Sequence, residues 1–186
     1  MRVLETIFPG VGKINGDLIK QLLLLLSIIL GFQYTGFSQG SFTRVSSIDR
    51  QVSRIDSSFS KSQNTFHLIK WKKSGDAYRE SWYYSVNKEQ VQVFEIRYLV
   101  DSIEYNEIYY LDGNRLIFSE EYETVYNDQN DDKLKWAKIC HYENKILMQI
   151  VTLGSQDKEF ARINGGYDTQ NRFHYRLNEL RRQMYQ

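Results

Sequence analysis

Between Thr65 and Leu153 the side chains alternate with a period of two, which fits a β-strand and not an α-helix. Val, Ile, Tyr, Phe and Trp are frequent there, and these residue types pack well on a pleated surface. Short polar turns interrupt the alternation, and Asp112-Gly113 is the clearest, because glycine tolerates the positive φ of a tight hairpin. Strands joined by short turns pair with their chain neighbours, so the sequence predicts an antiparallel meander of about six to eight strands.

Two amphipathic helices are predicted, one before and one after this region of the chain. Apolar residues spaced three and four apart form their stripes: Val45, Ile48, Val52, Ile55 and Phe59 in the first, and Phe173, Leu177, Leu180 and Met184 in the second. Asp168 or Thr169 is expected to cap the second helix. Each stripe needs a surface to pack on. The predicted fold class is therefore α+β, an antiparallel meander sheet with an N-terminal and a C-terminal amphipathic helix on one face.

An uncharged apolar run at residues 22–32 follows Lys13 and Lys20. A helix of this length spans about 16 Å, roughly half of the hydrocarbon core of a bilayer. A short apolar run behind a positive flank is typical of a signal peptide. We therefore expect residues 1–38 to be a signal peptide, with a buried core helix or an uncleaved N-terminal anchor as the alternatives.

Small residues at Gly36 and Ser38 stand at the positions that a signal peptidase requires, so cleavage is expected after Ser38. Residues 39–186 then form a single α+β domain. Cleavage removes three of the 24 basic and two of the 23 acidic side chains, which leaves 21 of each. A chain without net charge gives no electrostatic attraction to nucleic acid. We expect export to the periplasm, cell envelope or extracellular space, with no transmembrane span in the mature chain.

The order of these segments resembles a known group of proteins. A leader ending in Phe37-Ser38-Gln39, an amphipathic helix, and hairpins such as Tyr109–Phe118 resemble the uncharacterised exported β-rich proteins of Bacteroidetes-type bacteria. The resemblance extends over most of the mature chain. It implies export and a β-rich fold, and it carries no activity, because that group has none assigned.

Aromatic side chains are abundant, at 15% of the chain. A doubled aromatic such as Tyr109-Tyr110 places one ring on each face of a sheet, so a face without a helix would offer aromatic surface to a ligand. A curved sheet that carries a small apolar ligand needs a cavity of about 300 Å³ or more. The candidate ligand-binding residues for this reading are Trp82, Tyr84, Phe94 and Ile96. Cross-strand aromatic packing is the alternative explanation.

Catalytic candidates are few. Glu120, Glu121 and Glu123 lie on one predicted strand, and paired carboxylates hydrolyse glycosides, but a charged strand edge shows the same pattern. Cys140 and His141 are adjacent, so on a strand they point to opposite faces and cannot form a nucleophile–base pair. We expect Cys140 to be buried and no residue to be catalytic.

Metal-binding patterns are also weak. The three histidines, His67, His141 and His174, are far apart and form no helical ligand pair. The segment Asp128–Asp132 resembles the start of a calcium loop, but Lys133 stands where glycine is needed and Ile139 where glutamate is needed. The sequence therefore predicts neither a metal nor a cofactor.

These observations favour an exported, non-enzymatic binding or structural protein of the periplasm or cell envelope. Its partner is an unknown protein or small molecule. A carrier of a small apolar ligand is one alternative, and a carboxylate-dependent hydrolase is another.

Overall fold

The computed structural model describes residues 40, 42–125, 133–156 and 168–185. The chain divides into two compact units, Met1–Arg44 and Val45–Gln186. In the first unit only residues 40 and 42–44 are described, and they are helical. The predicted signal peptide and the calcium-like segment Asp128–Asp132 lie outside the described residues.

The described part of the second unit contains seven antiparallel strands in one sheet, ordered β1 to β7 as they occur in the chain. This confirms the predicted meander. The strands are β1 (Asn64–Trp71), β2 (Ala77–Asn87), β3 (Gln90–Val100), β4 (Ile103–Asp112), β5 (Arg115–Val125), β6 (Lys133–Glu143) and β7 (Ile146–Gly154). Helix α1 covers residues 42–59, and helix α2 is Thr169–Met184.

Tight turns close the hairpins. Gly113 has φ of 64° in the predicted Asp112-Gly113 turn. The turn between β6 and β7 places Asn144 and Lys145 at φ of 51° and 70°. Consecutive positive φ values match the right-handed twist of hairpin strands, which explains how such short links hold the meander in register.

Helix α1 packs on one face of the sheet, here called face B, through the predicted stripe. Its buried residues Ile48, Val52 and Ile55 form one apolar cluster with sheet residues that include Val93 and Phe118. Two polar contacts flank the cluster: the Tyr110 hydroxyl donates to Asp56 Oδ1 at 2.8 Å, and His141 Nε2 lies 2.8 Å from Asp49 Oδ1.

Helix α2 packs on the other face, here called face A. Asp168 is its N-cap, as predicted, and its carboxylate accepts a hydrogen bond from the Asn171 amide at 2.8 Å. Phe173, Leu177 and Leu180 are buried in a cluster with sheet residues that include Trp82, Phe94 and Tyr109. Burial of these side chains attaches the helix, at roughly 1.5–3 kcal/mol for each large one.

The predicted placement of both helices on one face is wrong. Val93 and Phe94 are consecutive in β3 and project to opposite faces; Val93 clusters with α1 and Phe94 with α2. The doubled aromatic Tyr109-Tyr110 follows the same division, with Tyr109 in the α2 cluster and Tyr110 in the α1 cluster. Both faces of the central strands carry apolar side chains, and each face therefore receives a helix.

Candidate binding surface

Four glutamates lie fully buried on face A. They are Glu80, Glu107, Glu121 and Glu123, on strands β2, β4 and β5. Glu80 and Glu107 alternate along their strands with buried aromatic residues such as Trp82 and Tyr109. A buried carboxylate is costly unless it is paired and hydrogen-bonded. The strands therefore need cations from the layer that covers this face.

Helix α2 supplies these cations from one side of its surface. Arg176 places Nη1 at 2.9 Å from Glu80 Oε1 and Nη2 at 2.8 Å from Glu107 Oε1. One turn earlier, Arg172 Nη2 lies 2.5 Å from Glu121 Oε2; the two groups form an ion pair without hydrogen-bond alignment. Because positions four apart share a helix face, both guanidinium groups enter the sheet together.

Tyrosine hydroxyl groups complete the network around Glu107. Tyr98 donates to Oε1 at 3.0 Å and Tyr109 donates to Oε2 at 2.8 Å. Burial alone raises the pKa of Glu107, but the charges of Arg176 and Arg172 outweigh burial and lower it to about 2. The ionised carboxylate of Glu107 is inaccessible to solvent and is paired with the guanidinium groups of Arg172 and Arg176. Because both arginines belong to α2, the network fixes the position of that helix.

The candidate ligand-binding residues lie in this covered core. Trp82, Phe94 and Ile96 are fully buried, and Tyr84 is partly buried against the same cluster. Trp82 stacks between Phe66 and Phe94, with ring centroids 5.3 and 6.2 Å away. The two pockets described below have none of these four residues in their walls.

The three candidate carboxylates are divided between the two faces. Glu121 and Glu123 are buried on face A, and Glu120 projects to the other side, where it accepts a hydrogen bond from Tyr122 at 2.8 Å. Burial raises the pKa of Glu120. The strand alternation thus separates Glu120 from the other two, and none of the three lines either pocket.

The histidines and the cysteine occupy separate places. His67 Nδ1 lies 3.1 Å from the Ser81 hydroxyl, His141 contacts α1, and His174 is on α2. Among the described residues, no three His, Cys, Asp or Glu side chains are grouped to hold a metal ion. Cys140 is buried, as predicted, and burial raises the pKa of its thiol.

The described residues line at least two surface pockets. One, of about 430 Å³, is polar and lies between α1 and the β2–β3 and β4–β5 turns, with Arg54 and Lys88 among its walls. The other, of about 240 Å³, lies between β6, β7 and the start of α2, with Leu147 and Ile150 on its apolar side. The smaller pocket adjoins an exposed strand.

Strand β7 is the most exposed apolar element of the described sheet. Its nine residues, Ile146–Gly154, contain no charged side chain, and eight of them are exposed. The large exposed side chains are Ile146, Leu147, Ile150, Val151 and Leu153, each between 47% and 65% accessible. Single exposed aliphatic residues are common on proteins, whereas a contiguous exposed apolar patch is typical of interaction sites.

Within the described residues, β7 is an edge strand with exposed aliphatic side chains on both faces. Ile150 pairs with Cys140 and so lies on face A, whereas Val151 pairs with Ile139 and lies on face B. In the described part of the chain β7 has one strand neighbour, β6. Gly154 ends the strand at φ of 74°, where an added Cβ would overlap the Lys135 carbonyl oxygen. The glycine therefore allows β6 and β7 to stay close at this end.

The opposite edge strand is protected differently. β1 carries Lys70, whose ammonium group lies 3.6 Å from Glu80 and contacts Glu179 of α2. Lys72 follows directly after the strand and lies 3.3 Å from Asp101. Charged side chains, lysine above all, prevent an edge from pairing with another chain. The exposed Ile69 and Trp71 of β1 therefore flank a lysine within their own strand, whereas β7 itself contains no charged residue.

The alternation up to Leu153 predicts the last strand, but it indicates neither the exposure of that strand nor the role of the two arginines. Aliphatic residues at both even and odd positions of 146–153 are equally typical of a strand buried on both faces. The signal for an edge was its position as the last strand of a meander. For Arg172 and Arg176, the signal was the set of glutamates in phase with aromatic residues on the strands.

No known protein family matches the chain, and neither curated proteins nor solved structures show significant similarity to it. In the described ranges, neither helix has the length and apolar content needed to cross a membrane.

Proposed function

We propose that this chain is exported to the periplasm or cell envelope and acts there as a non-enzymatic binding or structural protein, with the β7 edge as its contact surface. The observation that carries the proposal is the uncharged strand Ile146–Gly154, which exposes aliphatic side chains on both faces of the sheet edge. An edge strand offers a row of main-chain donors and acceptors, and its side chains add apolar contact.

The layout of the two faces supports a binding function over the alternatives. The carrier alternative needs a cavity of about 300 Å³ bounded by the aromatic sheet residues. Trp82, Phe94 and Ile96 instead pack against each other and α2. The hydrolase alternative needs two carboxylates that reach one substrate. Glu121 is paired with Arg172 under α2, and Glu120 lies on the other face.

In-cell photo-crosslinking combined with fractionation tests this proposal. A photoreactive amino acid is placed at Val151 on β7, and in a second variant at Ile69 on β1, which is exposed to a similar degree. We expect the protein in the envelope fraction and cross-linked adducts from position 151, at least tenfold above position 69. Recovery in the cytoplasm, or equal cross-linking at the two edges, would contradict the proposal.

A further inference from the structure

We infer that the occupant of the β7 edge is the β7 strand of a second copy of this chain, paired antiparallel across a two-fold axis. This inference rests on the proposed function of β7 as a contact surface. The partner is identified from the charge and the apolar side chains of the β7 strand.

The absence of charge makes β7 compatible with a second copy of itself. A two-fold axis through an antiparallel strand pair brings the residues nearest the axis opposite their own counterparts on the other copy, so a charge at that place meets its own kind. The segment Ile146–Gly154 has no charged residue and is therefore compatible with itself. β1 is less compatible with itself, because it contains Lys70 and is followed by Lys72. Two β1 strands paired near these residues would bring lysine side chains together.

The exposed apolar side chains of β7 are distributed over both faces of the sheet. A two-fold axis perpendicular to the sheet joins face A to face A and face B to face B. Ile150 and Leu147 would then lie beside side chains of the partner's face A, and Val151 and Leu153 beside side chains of its face B. Pairing thus buries exposed aliphatic surface on both sides at once, which a partner that covers only one face does not achieve.

A β7–β7 pair also forms a closed dimer, whereas a β7–β1 pair does not. Pairing of β7 with the β1 edge of another copy would leave a free edge at each end, and such an assembly grows into a fibre. Pairing of β7 with β7 uses the uncharged edge of both copies. It leaves outermost the β1 edges, which carry lysine. The charged edge is the one suited to remain in water.

The helices leave room for this contact. The sheet residues that cluster with α1 lie mainly on β3, β4 and β5, with Ile139 of β6 at the margin. The helix α2 residues cluster with β2 to β6. Neither cluster includes a β7 residue. On face A the start of α2 lines the smaller pocket together with Leu147 and Ile150, and on face B Val151 and Leu153 are exposed.

Sedimentation of the purified exported protein measures the association. We expect a dimer for the unaltered chain and for Ile69→Lys, which places the new charge on β1. Ile150→Lys and Val151→Lys, on face A and face B of β7, are expected to raise the dimer dissociation constant at least 100-fold. Both side chains are about half exposed, so circular dichroism should show the fold unchanged.

Single cysteines introduced along 148–151 locate the axis, with the unaltered chain as the blank because Cys140 is buried. We expect a disulfide-linked dimer from one or two of these positions and none from Ile69→Cys. A dimer that persists in both lysine variants overturns the inference. A monomeric chain that still cross-links to a different protein through Val151 overturns it too, but leaves the proposed function intact. A monomer without β7 cross-links refutes both.

Discussion

The guanidinium of Arg176 lies between the carboxylates of Glu80 and Glu107, and all three side chains are cut off from water. Removal of one member of a buried ion pair costs about 3–5 kcal/mol, because the other charge is left uncompensated. A shift of α2 along its axis would break several of these contacts together. The network therefore allows one position of the helix, where apolar packing alone allows several.

Acid should weaken this network through Glu107. Its pKa is about 2 in the folded protein against an ordinary value of 4.5. A lowered pKa gives stabilisation that is complete above the ordinary value and is lost as pH falls toward the folded value. We expect the free energy of unfolding to fall by about 3 kcal/mol over this interval from Glu107 alone, measured by urea denaturation.

Two variants separate this residue from general acid effects. Glu107→Gln should give a shallower decline of stability with falling pH, from a lower starting stability at neutral pH. Glu89→Gln, at an exposed turn position, should keep the slope of the unaltered protein. Equal slopes in the unaltered protein and Glu107→Gln would show that the network does not depend on the charge of Glu107.

At the scale of elements, attachment of α1 to face B is the contact most open to test. Ile55 is buried in the face B cluster, and its neighbour Arg54 is exposed. Ile55→Asp places an unpaired carboxylate in an apolar contact and should destabilise the protein by more than about 3 kcal/mol. Arg54→Asp introduces the same residue one position away and should cost less than about 1 kcal/mol. Equal urea midpoints would mean that α1 is not attached to the sheet.

The strands and helices were predictable because each is indicated by the local spacing of its apolar residues and by the turn residues at its ends. The face that each helix takes was not, because the central strands carry apolar side chains on both faces. A β-bulge also changes the alternation locally. At the bulge between Tyr110 and Leu111, Ile117 has no cross-strand partner, so Leu116 turns to face A while Phe118 faces α1. Nor does a local pattern show that β7 would remain uncovered, since that depends on where both helices lie.

At the scale of the whole molecule, the exposed edge and the predicted export belong together. An uncharged, aliphatic edge strand pairs indiscriminately when other unfolded or edge-exposed chains are abundant. The proposed export as an unfolded chain would delay formation of this edge until the sheet folds in its final compartment. Under the proposed export, the N-terminal segment determines the compartment in which β7 forms, and cleavage after Ser38 is the step of this proposal that can be measured.

Substitution at the predicted cleavage site tests this step directly. A signal peptidase requires a small residue immediately before the cut, so Ser38→Tyr should block processing. We expect the unaltered protein in the envelope fraction with Gln39 as its first residue, and Ser38→Tyr at its full mass of about 22.2 kDa. Ser41→Tyr, which lies beyond the cut, should be processed normally. Intact-mass spectrometry distinguishes these forms.

Two outcomes would contradict cleavage after Ser38. A full-length unaltered chain in the envelope would identify the uncleaved anchor. A full-length unaltered chain in the cytoplasm would exclude export altogether.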